Sequence, residues 1–61
     1  MKKTFIFYFD VLSKAWCVYK EEIEIENDNY SDALNEAIIK LSNKYAIPLD
    51  IELKSFQIKV Y

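Results

Sequence analysis

The chain has 61 residues, no glycine, no histidine and no arginine, and a formal net charge of −2. That length allows one small domain, residues 1–61. The absences remove the imidazole base, the histidine-ligated metal, the glycine-rich phosphate loop and the bidentate guanidinium clamp.

Residues 3–11 read as a strand, because aromatic and β-branched residues dominate them and no helix cap precedes them. Strand side chains alternate, so Phe5, Phe7, Phe9 and Val11 share one face and Thr4, Ile6, Tyr8 and Asp10 the other. Both faces are apolar enough for a central strand. Residues 12–15 form the turn, with Ser13 and Lys14 at its tip. Without glycine, a loop longer than two residues is favoured. Residues 16–26 read as a second strand, with Cys17, Tyr19, Glu21, Ile23 and Ile25 on one face. Trp16, Val18, Lys20, Glu22, Glu24 and Glu26 take the other. Glu21 interrupts the apolar face, which suggests a bulge at residues 20–22.

Asn27-Asp28-Asn29 breaks the strand, and Asn29 is the N-cap of a helix over residues 30–44. Tyr30, Ala33, Leu34, Ala37, Ile38, Leu41 and Tyr45 lie on one helical stripe, and Ile39 lies off it. Pro48 holds Ile47 extended, so the helix stops before it. Residues 50–61 read as the last strand. Ile51 and Leu53 have one parity, and Phe56, Ile58 and Val60 the other. Either a bulge at Lys54-Ser55 reconciles them, or the strand begins at Lys54.

The resulting class is α+β with order β-β-α-β. A right-handed crossover and the apolar first strand give a three-stranded antiparallel or mixed sheet of spatial order 2-1-3, with the last strand parallel to the second. The helix covers one face, with Phe5, Phe7, Phe9, Ile23, Ile25, Phe56, Ile58 and Val60 beneath Leu34, Ala37, Ile38 and Leu41. The other face then presents Ile6, Tyr8, Trp16, Val18 and Tyr61, an apolar patch of the kind that marks interfaces. Glu22, Glu24 and Glu26 recur every second residue and Asp28 follows. Strand geometry spaces such carboxylates roughly 7 Å apart, near the separation of successive phosphates on a nucleic-acid strand. The row therefore reads either as a mimic that occupies a basic groove or as a charged edge that keeps a sheet soluble. Tyr8, Trp16, Val18, Glu22, Glu24, Glu26 and Asp28 are the candidate partner-binding residues.

Catalysis is not expected. The acidic residues are sequential rather than convergent, and no oxygen-ligand loop for a metal is present. Cys17 has no histidine partner and reads as a buried structural thiol, and the serines have no base. No cofactor is implied. The Phe5-Ile6-Phe7-Tyr8-Phe9 run could form a base-stacking platform, but an acidic, arginine-free chain lacks its basic surround, so direct nucleic-acid binding is disfavoured. No apolar run reaches membrane-spanning length. The Met1-Lys2-Lys3 start has the outline of a secretory signal, but Asp10 ends its apolar run. With a single free cysteine, a complete cytoplasmic protein is expected.

In size, acidity and β-β-α-β order the chain resembles the small proteins with which phages block host machinery, anti-CRISPR proteins among them. That resemblance implies steric or electrostatic occlusion of a nucleic-acid-handling complex, with Glu22, Glu24, Glu26 and Asp28 meeting lysine or arginine side chains. Asn29-Tyr30-Ser31-Asp32-Ala33-Leu34 also looks like the helix start of small β-β-α units such as HicB-like antitoxins, whose turn glycines this chain lacks. The expected role is a non-enzymatic protein-binding inhibitor. The alternatives are a homodimeric structural or regulatory module whose open sheet faces pair, and a nucleic-acid binder using the aromatic sheet.

Overall fold

The computed structural model describes residues 3–60; the expectation for Tyr61 and the reading of Met1-Lys2 fall outside them. The elements are β1 (Lys3–Leu12), β2 (Val18–Asn27), α1 (Tyr30–Lys44) and β3 (Asp50–Val60). They form one sheet of order β2-β1-β3. β1 pairs antiparallel with both neighbours, so the fold is the expected α+β arrangement and the two edge strands run the same way.

β1 is central because both of its faces find cover. Phe5, Phe7, Phe9 and Val11 are buried with Ile25, Ala33, Ala37 and Leu41. The two alanines keep the helix close to the sheet, leaving room for a ladder of phenyl rings whose centroids step by 5.9 Å from Phe5 to Phe7 to Phe9. Tyr30 meets Phe5 edge-on at 5.9 Å, a favoured aromatic geometry. The three phenylalanines lie under the helix, so they are no platform for stacked bases.

The helix begins as its sequence dictates. The Asn29 side-chain oxygen accepts from the backbone N–H of Ser31 at 2.8 Å and of Asp32 at 3.4 Å, satisfying donors that no turn of helix can reach. Asp32 in the first turn and Lys44 in the last complement the helix dipole.

The helix does not sit centrally over the sheet. It packs on β2 and β1 and reaches β3 through Tyr30, whose ring lies 4.9 Å from Phe56. Its C-terminal end is tied to β2. Lys44 Nζ lies 3.0 and 3.1 Å from the two Glu21 carboxylate oxygens, the Tyr45 hydroxyl donates to the same carboxylate, and the Tyr45 ring stacks on Tyr19 at 5.6 Å. Two expectations are corrected here. β1 and β2 pair without a break from Lys3–Asn27 to Leu12–Val18, so no bulge occurs at residues 20–22. Glu21 stays on the helix face because Lys44 and Tyr45 partner it there. Secondly, Phe56, Ile58 and Val60 share the helix face but remain 45%, 47% and 57% exposed, because a helix drawn toward β2 leaves the far edge uncovered.

The bulge in β3 is where its parity break places it. Tyr8 pairs with Ser55 and Phe9 with Leu53, so Lys54 is the extra residue, and Ile51 and Leu53 join Phe56, Ile58 and Val60 on one face. The β1–β2 connection is a loop over residues 13–17, closed by Ser13 N–H to Cys17 O and Trp16 N–H to Ser13 O, both at 2.9 Å. β2 therefore starts two residues later than its sequence suggests. Cys17 sits in the loop and is exposed, not a buried thiol.

The absence of glycine shows most at the helix C-terminus. Ala46 N–H bonds Asn43 O and Ile47 N–H bonds Ser42 O at 2.8 Å, the two bonds of a Schellman motif. Glycine usually takes the left-handed position there. Here Ala46 and β-branched Ile47 hold φ of 53° and 62°, at a steric cost, so Ile47 is left-handed rather than extended before Pro48. Ala46→Gly is expected to raise stability by about 0.5–1 kcal/mol, read as an increased midpoint in urea or heat.

Glu21 makes the fold pH-sensitive in a defined direction. The Tyr45 hydrogen bond, with Lys44, holds its carboxyl below the ordinary 4.5 against an opposing effect of burial. Between the folded and unfolded values the unfolded chain binds the extra proton, so stability falls as pH drops through and below about 4.5. Tyr45 is pushed up to about 12 by the hydrogen bond to Glu21, so its contribution is intact below pH 10 and is lost between 10 and 12. Thermal melts across pH should show both slopes in the native chain, and Glu21→Gln should flatten both.

Candidate partner-binding surface

The open face of the sheet is built by three registers. Thr4, Ile6 and Tyr8 of β1 stand opposite Glu26, Glu24 and Glu22 of β2. On the other side Ile6 faces Gln57 and Tyr8 faces Ser55 of β3. Directly paired residues share a face, so a file of glutamates runs along one edge, a polar file along the other, and the residues of β1 lie between them. Ile6 is only 8% exposed and Tyr8 is half-buried. The open face is therefore a polar surface with a shielded apolar centre, not the continuous aromatic patch expected from its sequence. Long side chains on both edge strands flank that centre.

Glu22, Glu24 and Glu26 are exposed together on this face. Asp28 is also exposed, but it lies beyond the strand in the connection to α1, off the repeat. Ile6, Tyr8, Glu22, Glu24, Gln57 and Lys59 line a shallow depression of about 410 Å³. A neighbouring hollow of about 300 Å³ is walled in part by Tyr8, Asp10, Lys20 and Lys54. Lys54 Nζ, carried by the bulge, lies 3.3 Å from Glu52 and 4.0 Å from Asp10, so the Lys54 charge is already engaged. The Tyr8 phenol is raised above its ordinary 10.0 chiefly by its hydrogen bond to Glu22, with burial and the Glu22 charge adding to it. At neutral pH it is an uncharged hydroxyl beside Glu22. The arrangement offers carboxylate acceptors in a row beside a neutral hydroxyl, which suits ammonium or guanidinium groups. Among the described residues no three histidine, cysteine, aspartate or glutamate side chains gather to hold a metal ion.

Trp16 lies off the open face, in the loop, whereas Val18 lies on that face at its end. Trp16, 78% exposed, sits in the β1–β2 loop with φ of 61°, and Val18 opens β2 opposite Leu12. The loop after α1 arrives at the same end, where Leu49 N–H bonds Leu12 O at 2.9 Å. It brings two apolar side chains the sequence reading did not single out, Ile47 and Leu49, of which Ile47 is 74% exposed. The signal for them was an apolar pair astride Pro48 that fits neither the helical stripe nor a strand repeat. Trp16 and Ile47 thus present large apolar groups from left-handed backbone, the kind of strained display often kept for recognition.

Compared with known protein families, curated proteins and solved structures, the chain matches none. What stands is the class: an α+β domain with an open three-stranded sheet and one helix. No helix among the described residues is long and apolar enough to cross a membrane.

The two perturbed phenols make this electrostatic reading separable. Tyrosine-selective NMR titration should find Tyr45 near 12 and Tyr8 above 10.0. Glu22→Gln should bring Tyr8 down toward its ordinary value and leave Tyr45 unmoved, while Glu21→Gln should do the reverse.

Proposed function

We propose that this protein is a non-enzymatic protein-binding module, a small acidic inhibitor that occupies the basic groove of a nucleic-acid-handling complex. The observation that carries the reading is the file of Glu22, Glu24 and Glu26, exposed along one face of an edge strand. Their repeat of roughly 7 Å follows from strand geometry. Such a row meets lysine and arginine side chains that otherwise contact successive phosphates. The paired strand fixes the backbone beneath the row, so binding has only the glutamate side chains left to order. Tyr8 adds a hydroxyl donor beside the row. Asp28 extends the charge past the strand, and Trp16 and Val18 supply apolar anchors at its other end. The negative potential speeds encounter with a basic partner and makes the association salt-dependent. The site of action is the cytoplasm, where such complexes work.

The test is retention of basic, nucleic-acid-handling proteins from an extract of the native host on the immobilised chain. Those proteins should be released by excess single-stranded DNA and by raised salt. A Glu22→Lys, Glu24→Lys, Glu26→Lys triple variant, shown folded by circular dichroism, should retain none of them. Retention that survives the triple substitution, or that nucleic acid cannot compete, refutes the proposal.

A further inference from the structure

The two edges of the sheet are chemically opposite. On β2 the outward-lying charge is nearly all glutamate. A two-fold antiparallel pairing of β2 with its copy, centred anywhere from Glu21 to Glu24, sets glutamate against glutamate, which is destabilising. β3 is different. It is an 11-residue strand at the edge of the sheet, and its apolar file Phe56, Ile58 and Val60 is about half exposed.

The bulge decides what β3 can pair with. Because Lys54 is the extra residue, Glu52, Ser55, Gln57 and Lys59 lie on the open face and Ile51, Leu53, Phe56, Ile58 and Val60 on the helix face. A two-fold axis at Phe56 that respects this parity sets Phe56 against Phe56 of a second copy, Leu53 against Ile58 and Ile51 against Val60. On the open face the same axis sets Ser55 against Gln57 and Glu52 against Lys59. Every helix-face pair is apolar, and the one charged pair is of opposite sign and occurs twice. Lys59 makes no ion pair among the described residues. Lys54, whose charge on an edge would oppose pairing, is drawn back onto Glu52 and Asp10 of its own chain. We infer that this chain forms a two-fold dimer through β3, edge to edge, giving one six-stranded antiparallel sheet with both helices on the same face.

The occupant is a second copy because the strand complements itself in charge and apolarity, as the register centred on Phe56 shows. The pairing closes on itself, as two-fold interfaces do, and removes an exposed edge that would otherwise invite aggregation. It buries the flanks of Phe56, Ile58 and Val60 against their counterparts. It is independent of the acidic row, which lies on the opposite edge and stays free.

Sedimentation equilibrium of the full chain at micromolar concentrations up to about 1 mM tests the stoichiometry. A monomer–dimer equilibrium is expected. A monomer throughout, or species larger than a dimer, overturns the inference. Glu52→Lys and Lys59→Glu should each raise the dimer dissociation constant about tenfold, since each puts like charges opposite one another twice. The double swap should restore it to within about threefold. Dissociation constants unmoved by the single changes would mean another surface pairs. In a Cys17→Ser background, Phe56→Cys should form a covalent dimer on mild oxidation, because directly opposed residues place their Cα atoms about 4.5–5.5 Å apart, within disulfide reach. No more covalent dimer than from Glu36→Cys on the outer helix surface would again refute the register. The Glu22→Lys, Glu24→Lys, Glu26→Lys variant should dimerise as the native chain does, so failure of partner binding and failure of dimerisation are read separately.

Discussion

A single helix stands over three strands, and where it comes to rest governs the rest of this molecule. A helix with its side chains is about 10–12 Å across. Three strands at 4.7–4.9 Å spacing, with their side chains, are wider. One strand must therefore be left partly bare, and Glu21 decides which. Its carboxylate, on the face where an apolar residue is expected, accepts from Lys44 and Tyr45 and holds the helix end over β2. A charge out of place in the strand pattern is the anchor that sets the helix position. The half-exposed apolar file on β3 is its direct result.

The edges then divide between them the tasks that a larger protein gives to separate elements. β2 is covered on its inner face by the helix, so its outer face is free to carry an uninterrupted file of carboxylates. β3 lacks that cover, and its apolar residues keep contact-forming character while its bulge turns Lys54 back onto Asp10 and Glu52. Between them β1 is buried from Thr4 to Phe7 and serves as the common wall. A core this small is marginal by nature, and the left-handed Ala46 and Ile47 subtract from it further. Stability gained by association would offset those costs.

Much of this could be read from residue order, and the parts that could not share one cause. The four elements, the Asn29 cap, the helix limits and the Lys54 irregularity are local. They depend on alternation, helical spacing and one capping side chain, so the chain declares them. The strand order follows because β1 alone is apolar on both faces. The misreadings concern lateral position. Phe56, Ile58 and Val60 have the right parity for burial, and only the sideways placement of the helix leaves them exposed. Glu21 reads as a bulge in the local pattern because its partners lie 23 and 24 residues away. Ile6 seemed exposed because the flanking reach of Glu24 and Gln57 is not a property of β1. Trp16 and Cys17 read as strand because nothing nearby marks the left-handed turn that a glycine would announce.

The proposed edge-to-edge dimer and the acidic row together would have a geometric consequence that neither has alone. In a six-stranded sheet joined at β3, the two β2 strands are the outermost, five strand spacings apart, or about 24 Å. The two-fold axis runs between them, so the rows of Glu22, Glu24 and Glu26 point in opposite directions along two parallel borders of one surface. A single acidic strand offers only a few exposed charge contacts, each weak in water and screened by salt. Two rows on such a frame would engage together, and the second contact would then form at the high effective concentration set by the first. A target with paired basic grooves, such as a symmetric complex or one that holds two strands, would be bound far more tightly than the charge of one row allows. Paired in this way, a short chain without arginine and with a single cysteine would gain from duplication a binding surface that its own length denies it.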